Sequence, residues 1–135
     1  MLDKPQAAAP TISLTVNGEK RLVSAHPFRP LSDTLREVLG LMGTKVGCEA
    51  GDCGACTVLM DGAQVCACLI ATGQAAGAGI ETVEGPGPDG LTDQLRQAFL
   101  EHGAAQCGIC TPGMLMAATD LLSRNDAPTD RKSVV

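Results

Sequence analysis

The amino-acid sequence predicts an α+β fold, with a sheet-forming first part and a helical second part. Before residue 85, short runs alternate apolar and polar residues around two tight turns, as half-buried strands do. After residue 90, apolar residues recur at helical spacing instead. The stretch 85–90, Gly-Pro-Gly-Pro-Asp-Gly, separates the two patterns. We therefore place a boundary there, between a first domain at 11–85 and a second at 86–129.

The first predicted domain opens with a β-hairpin. Ile12, Leu14 and Val16 alternate with polar residues, and Asn17-Gly18 supplies a two-residue turn before a return strand at 19–24. A helix is predicted next, with Ser32 as its cap and a glycine at 40 or 43 at its end. We expect its core-facing residues to be Leu35, Val38, Leu39 and Met42.

A second hairpin is predicted around Asp61-Gly62, with strands at 57–60 and 64–70. A further short strand is predicted at 80–85. The order hairpin, helix, loop, hairpin suggests a β-grasp arrangement.

The cysteines are the most informative residues of the first domain. Cys48, Cys53 and Cys56 form a C-x4-C-x2-C run, and Cys68 follows in a chain with seven cysteines. Thiolate sulfur is the soft ligand that iron–sulfur clusters require, and this spacing is that of plant-type 2Fe-2S sites. The glycines at 47, 51 and 54 fit a loop that wraps a cluster, because such a loop needs positive φ angles and close backbone approach.

Three other interpretations of these cysteines were weighed. A disulfide framework is disfavoured by the odd count and by the lack of a recognisable secretory signal. Structural zinc prefers other spacings, and His26 and His102 are distant in sequence from either cysteine group. Incidental buried cysteines would scatter along the chain instead of clustering with glycines.

The second domain is predicted to contain two helices separated by a C-x2-C pair. One helix carries apolar residues from Leu91 to Phe99 and ends at Gly103. After Cys107 and Cys110, Thr111 is the predicted cap of another helix, over 113–124. The pair alone is equally compatible with a redox dithiol or half of a zinc site.

Composition limits the possible partners and compartment. The net charge of −5 argues against nucleic acid, which would favour a basic patch. No uncharged stretch is apolar enough to insert into a membrane. Residues 1–10 are expected to form a flexible N-terminal arm. Free thiols are typical of a reducing compartment, so we expect a cytoplasmic protein.

Two stretches of sequence resemble the iron–sulfur subunit of the molybdenum hydroxylases, the xanthine oxidase family. The resemblance covers about 12–129 and is carried by the segments 34–40, 43–48, 53–58, 61–62 and 106–114. It implies a 2Fe-2S ferredoxin-like first domain followed by an all-helical 2Fe-2S domain. It also implies an electron-transfer subunit that relays single electrons from a molybdenum centre to flavin or another acceptor and makes no substrate bond itself.

The resemblance assigns ligands as well. It implies that Cys48, Cys53, Cys56 and Cys68 hold the first cluster, with Cys68 at the family's V-x-x-C-L position. Strand alternation alone would place Cys66 on the same face as Cys68 and leaves both open. The resemblance further implies that Cys107 and Cys110 are half of a second cluster and that Gln106 contacts the pterin. Molybdopterin and FAD are expected in partner subunits, a large molybdopterin-binding subunit and a flavin subunit.

The C-terminal end departs from the family pattern. The later C-x-C pair that completes the second cluster is absent, so the helical domain is expected to be truncated. Residues 130–135 can be encoded by a string matching the start of a common sequencing adapter, and we hypothesise that they are a non-native tail; a natural truncation is the alternative. Two other functions stay open at this point: a stand-alone ferredoxin-like electron carrier and a zinc-stabilised interaction module.

Overall fold

A five-stranded mixed sheet forms the first part of the chain in the computed structural model, which describes residues 8–129. The strands are β1 (Thr11–Val16), β2 (Glu19–Ser24), β3 (Thr57–Met60), β4 (Ala63–Cys66) and β5 (Gly79–Glu81). Their order across the sheet is β2-β1-β5-β3-β4. Both predicted hairpins are present, and the α+β class is confirmed. The boundary near residue 85 stays a prediction.

The late strand β5 joins the two hairpins into one sheet. It pairs parallel with β1, with Thr15 opposite Gly79, and antiparallel with β3, with Leu59 opposite Glu81. The main core lies on one face of this sheet and is aliphatic; its fully buried members include Leu14, Val58 and Ile80. Because the first hairpin and the second are tied through β5, the loop between them is held at both ends by the sheet.

The first helix differs from its prediction. It begins with α1 (Leu31–Asp33) and continues as a π-helix over Thr34–Val38. Ser32 lies inside the helix and makes no capping hydrogen bond, so its assignment as the cap is wrong.

The wider π-turn also changes which residues face the core. The N–H of Leu39 donates to the carbonyl of Thr34, five residues back, at 3.0 Å. This extra residue per turn rotates the later side chains away from the predicted face. Leu35 is buried and Leu39 packs against the core, whereas Val38 and Met42 are exposed. Gly40 does end the helix, with a φ of 70°.

The return strand of the second hairpin is shorter than predicted. It ends at Cys66, and the next residues form a 3-10 helix over Ala67–Leu69. Ala67 is fully buried and its N–H donates to the carbonyl of Cys56 at 3.2 Å, which turns the chain inward. The prediction that Cys68 lies on this strand is therefore wrong, and so is the alternation that placed Cys66 and Cys68 on one face.

Two helices follow the sheet, α2 (Leu91–Glu101) and α3 (Thr111–Arg124). The buried hydroxyls of Thr92 and Thr119 join them through a hydrogen bond of 3.0 Å. Cys110 occupies the N-cap position of α3 and Thr111 is its first residue, so the predicted cap was one residue off. Within residues 8–129, no helix has both the length and the apolar character needed to cross a bilayer. Most of the predicted N-terminal arm and all of the tail at 130–135 lie outside the described residues.

Candidate metal centre

The first cysteine group lies on an irregular loop between the π-helix and β3. Cys48 and Cys53 belong to the loop itself, Cys56 comes directly before β3, and Cys68 belongs to the 3-10 helix after β4. Gly51 and Gly54 adopt left-handed φ angles of 73° and 71°, which a residue with a side chain rarely takes. The sheet therefore fixes the ends of a loop whose middle is curved by glycine.

Backbone N–H groups converge on the sulfur of Cys48. The N–H of Cys53 lies 3.3 Å from it, and those of Ala50 and Asp52 lie 3.4 Å away. These donors, that of Cys53 first, lower the pKa of the Cys48 thiol from 9.0 to about 7. The loop thus stabilises negative charge on this sulfur, as a thiolate ligand of iron requires.

Cys56 and Cys68 form a second, more buried pair. Cys56 is 3% exposed, and its sulfur lies 3.5 Å from the donating N–H of Cys68. Burial, followed by the hydrogen bond with the Cys56 thiol, raises the pKa of Cys68, while a backbone hydrogen bond from Gly51 acts in the opposite direction. Gly51 therefore links the loop to the segment that carries the fourth cysteine.

Close packing around the loop explains two of its glycines. A Cβ at Gly47 would lie 3.0 Å from the sulfur of Cys53. A Cβ at Gly51 would lie 2.3 Å from Cδ1 of Leu69. The sequence indicated these glycines, but nothing in it indicated that Leu69 covers the loop.

Cys66 also contacts this loop. Its thiol donates to the carbonyl of Gly51 at 3.7 Å, a long contact of the kind that sulfur makes. From the sequence we interpreted Cys66 as a small apolar filler, and its half-buried position agrees with that interpretation.

The donor set fits a two-iron cluster. Within the described part of the chain, no three His, Cys, Asp or Glu side chains are arranged to share one metal ion. A 2Fe-2S cluster makes a different demand, because four thiolates are divided between two irons. Soft thiol donors, N–H groups that point at sulfur and a glycine-lined loop are the features that such a cluster uses.

The second cysteine group is more open. Cys107 and Cys110 are both exposed, between α2 and α3. Gln106 is exposed as well, and all three border an open groove of about 430 Å³. The first turn of α3 is closed by a hydrogen bond from the N–H of Met114 to the carbonyl of Cys110 at 3.0 Å. The structure therefore brings the three predicted residues to one surface.

Comparison with known proteins places both parts of the chain among iron–sulfur proteins. Residues 14–77 match a family described as a 2Fe-2S iron-sulfur cluster binding domain, and residues 82–135 match one described as a 2Fe-2S binding domain.

Two relatives illustrate the similarity over nearly the whole chain. The nicotinate dehydrogenase small FeS subunit of Eubacterium barkeri is 48% identical over 125 residues, which are 93% of this chain and 80% of that protein. The xanthine dehydrogenase iron-sulfur-binding subunit of Escherichia coli O157:H7 is 46% identical over 114 residues, covering 84% and 71%. The solved structure of quinoline 2-oxidoreductase from Pseudomonas putida 86 matches with a TM-score of 0.84 and 47% identity, over 91% of this chain and 76% of that one.

Proposed function

We propose a division of roles between two cysteine groups in this chain, which belongs to the family of small 2Fe-2S subunits of the molybdenum hydroxylases. As a member of that family it is the electron-transfer subunit of an oxidoreductase complex and not the subunit that acts on the substrate. The proposal concerns which residues carry this role.

The first group is proposed to hold a complete 2Fe-2S cluster, with Cys48, Cys53, Cys56 and Cys68 as its ligands. The observation that supports it most directly is the set of three backbone N–H groups on the Cys48 sulfur. When bound, such a cluster supplies one-electron chemistry. The chain's own contribution is to stabilise charge on the sulfurs through N–H groups and to shield Cys56 from water.

The second group is proposed to supply part of a second cluster. Cys107 and Cys110 provide two of the four thiolates that such a cluster takes, so we propose that thiolates outside the given sequence complete it. Gln106 borders the same groove, with its amide available to donate and accept hydrogen bonds, and is proposed to contact the pterin of a partner subunit.

The proposed complex contains a large molybdopterin-binding subunit and a flavin subunit that carries FAD as the electron acceptor. The relatives are themselves named as small or single subunits of dehydrogenases, which supports assembly with larger partners. We propose a cytoplasmic location, because seven free thiols and an iron–sulfur cluster are best maintained in a reducing compartment.

Anaerobic reconstitution with iron and sulfide tests the assignment of the first site. Cys53 is exposed, so Cys53→Ser removes a proposed ligand without disturbing the core. We expect this variant to lose the visible absorption and the bound iron that the unmodified chain gains. Cys66→Ala is the matched control and should keep both. Equal loss in the two variants, or a colourless unmodified chain that binds zinc instead, would contradict the proposal.

A further inference from the structure

The first turn of α3 lies directly on the loop that carries the first cysteine group. A Cβ placed on Gly113 would lie 2.1 Å from the carbonyl oxygen of Gly54 and 3.2 Å from the Cα of Ala55. Normal contact between such atoms is roughly 3.5 Å, so only a residue without a side chain fits. The backbone of α3 therefore rests on the backbone of the loop.

The loop presents a fixed surface to the helix at this point. The Gly54 carbonyl accepts hydrogen bonds from the N–H of Thr57 at 3.1 Å and from its hydroxyl at 2.7 Å. The adjoining residues Ala55 and Cys56 are 4% and 3% exposed. The oxygen that touches Gly113 is thus held by the start of β3, and the contact joins α3 to the sheet.

This contact is also a short link between the two cysteine groups. Gly54 lies between Cys53 and Cys56, and Gly113 lies in the turn of α3 that begins at Cys110. Any displacement of Gly113 from Gly54 therefore changes the distance between the groups.

A second contact holds the same helix farther along its length. The amide of Gln64 on β4 donates to Asp120 at 2.8 Å, and that carboxylate is 2% exposed. Two anchors on one helix restrict both its distance from the sheet and its rotation.

Helix propensity gives no other reason for glycine at 113. Glycine in a helix is less favourable than alanine by about 1 kcal/mol. The φ angle of Gly113 is outside the left-handed region, so alanine would be compatible with the backbone conformation. The contact with Gly54 is what excludes a side chain.

We propose that Gly113 is a positioning residue: its bare backbone seats α3 on the Gly54 carbonyl and thereby sets the separation of the two cysteine groups. The inference rests on the proposed function, because it is the relay between the two groups that makes their separation matter. Electron tunnelling weakens steeply with distance, so this seat affects the rate of the relay. A partner subunit cannot substitute for it, because the contact is internal to the chain.

Distance measurement by electron paramagnetic resonance tests the proposal in the full chain. A nitroxide is attached to the exposed Cys110 in a Cys66→Ala, Cys107→Ser background, and its distance to the reduced first cluster is measured. We expect Gly113→Ala to lengthen this distance by roughly 1 Å, the movement needed to restore normal contact at Gly54. Gly79→Ala is the control, because its Cβ would meet nothing closer than 3.7 Å and its φ is not left-handed; it should leave the distance unchanged.

The outcomes separate the inference from its premise. An unchanged distance in Gly113→Ala that still contains the cluster would overturn the positioning role, even if the variant were less stable. Failure of every variant and of the background to bind iron would contradict the proposed function, and this inference with it. If Gly113→Ala does not fold, the background protein decides: a narrow distance distribution supports the seat, and a broad one contradicts it.

Discussion

The two cysteine groups differ in how much of the surrounding chain supports them. In the first, Cys48 accepts three N–H groups and Cys56 is covered by the sheet core. In the second, Cys107 and Cys110 are exposed on a short connection between helices. Within residues 8–129, the backbone hydrogen bonds that end on sulfur all belong to the first group. The first site is therefore built by this chain, while the second presents ligands to something else.

Removal of iron should give the largest difference between the groups. The aromatic content is low, with Phe28 and Phe99 alone, so we expect the cluster to contribute much of the order of the first loop. Amides of residues 48–53 should lose hydrogen-exchange protection after chelation, whereas those of 107–110 should exchange rapidly before and after it. Strong protection of 48–53 in iron-free protein would show that the loop does not depend on the metal.

Replacement of single ligands sharpens the same contrast. Cys48→Ser removes the sulfur that receives three N–H groups, and we expect iron affinity to fall by more than about tenfold. Cys107→Ser and Cys110→Ser should leave the iron content and visible spectrum of the first site unchanged. A comparable loss in either of the latter variants would mean that the exposed pair shares the first cluster.

Two glycines with similar backbone conformations provide a matched comparison. Gly51 has a φ of 73° and Gly108 a φ of 83°, but a Cβ would clash with Leu69 only at Gly51. The backbone conformation should cost about 1–2 kcal/mol of unfolding free energy in either alanine variant. Gly51→Ala should cost more than Gly108→Ala in denaturant unfolding and should alone lower the iron content. Adding Leu69→Ala should recover part of the difference, and no recovery would exclude the clash as its cause.

The smallest predicted effect concerns the anchor between sheet and helix. Gln64→Ala removes the hydrogen bond to the buried Asp120, whose remaining partner is the largely exposed Arg124. We expect a loss of about 1–2 kcal/mol in unfolding free energy. Gln97→Ala, which removes an exposed bond to Glu101 within α2, should change stability by less than about 0.5 kcal/mol. Equal effects would indicate that the sheet and α3 are not coupled through Gln64.

Local sequence patterns predicted the fold wherever short-range rules decide it. Asn17-Gly18 and Asp61-Gly62 form the hairpin turns because each pair takes positive φ angles at little cost. The π-turn at Thr34–Val38 was missed because hydrophobic periodicity assumes an ordinary helix. The end of β4 at Cys66 was missed because it depends on Ala67 pairing with Cys56, a tertiary contact.

The candidate site shows the same limit. Cysteine spacing indicated the first group, since ligands on one loop must be close in sequence. The seat of Gly113 on Gly54 joins residues far apart in the chain, and periodicity cannot reveal it. The available signal was a glycine inside the first turn of a helix that propensity would fill with alanine. Leu69, which covers Gly51, gave no signal at all.

The central claim is that this chain alone builds one complete 2Fe-2S site. The most direct test is to measure iron and acid-labile sulfide in the anaerobically reconstituted full chain, together with its electron paramagnetic resonance spectrum after reduction. The account predicts equal amounts of iron and sulfide at the stoichiometry of a single 2Fe-2S cluster, with one reduced signal that survives Cys107→Ser. Iron without sulfide, or a signal that disappears in Cys107→Ser, would contradict it.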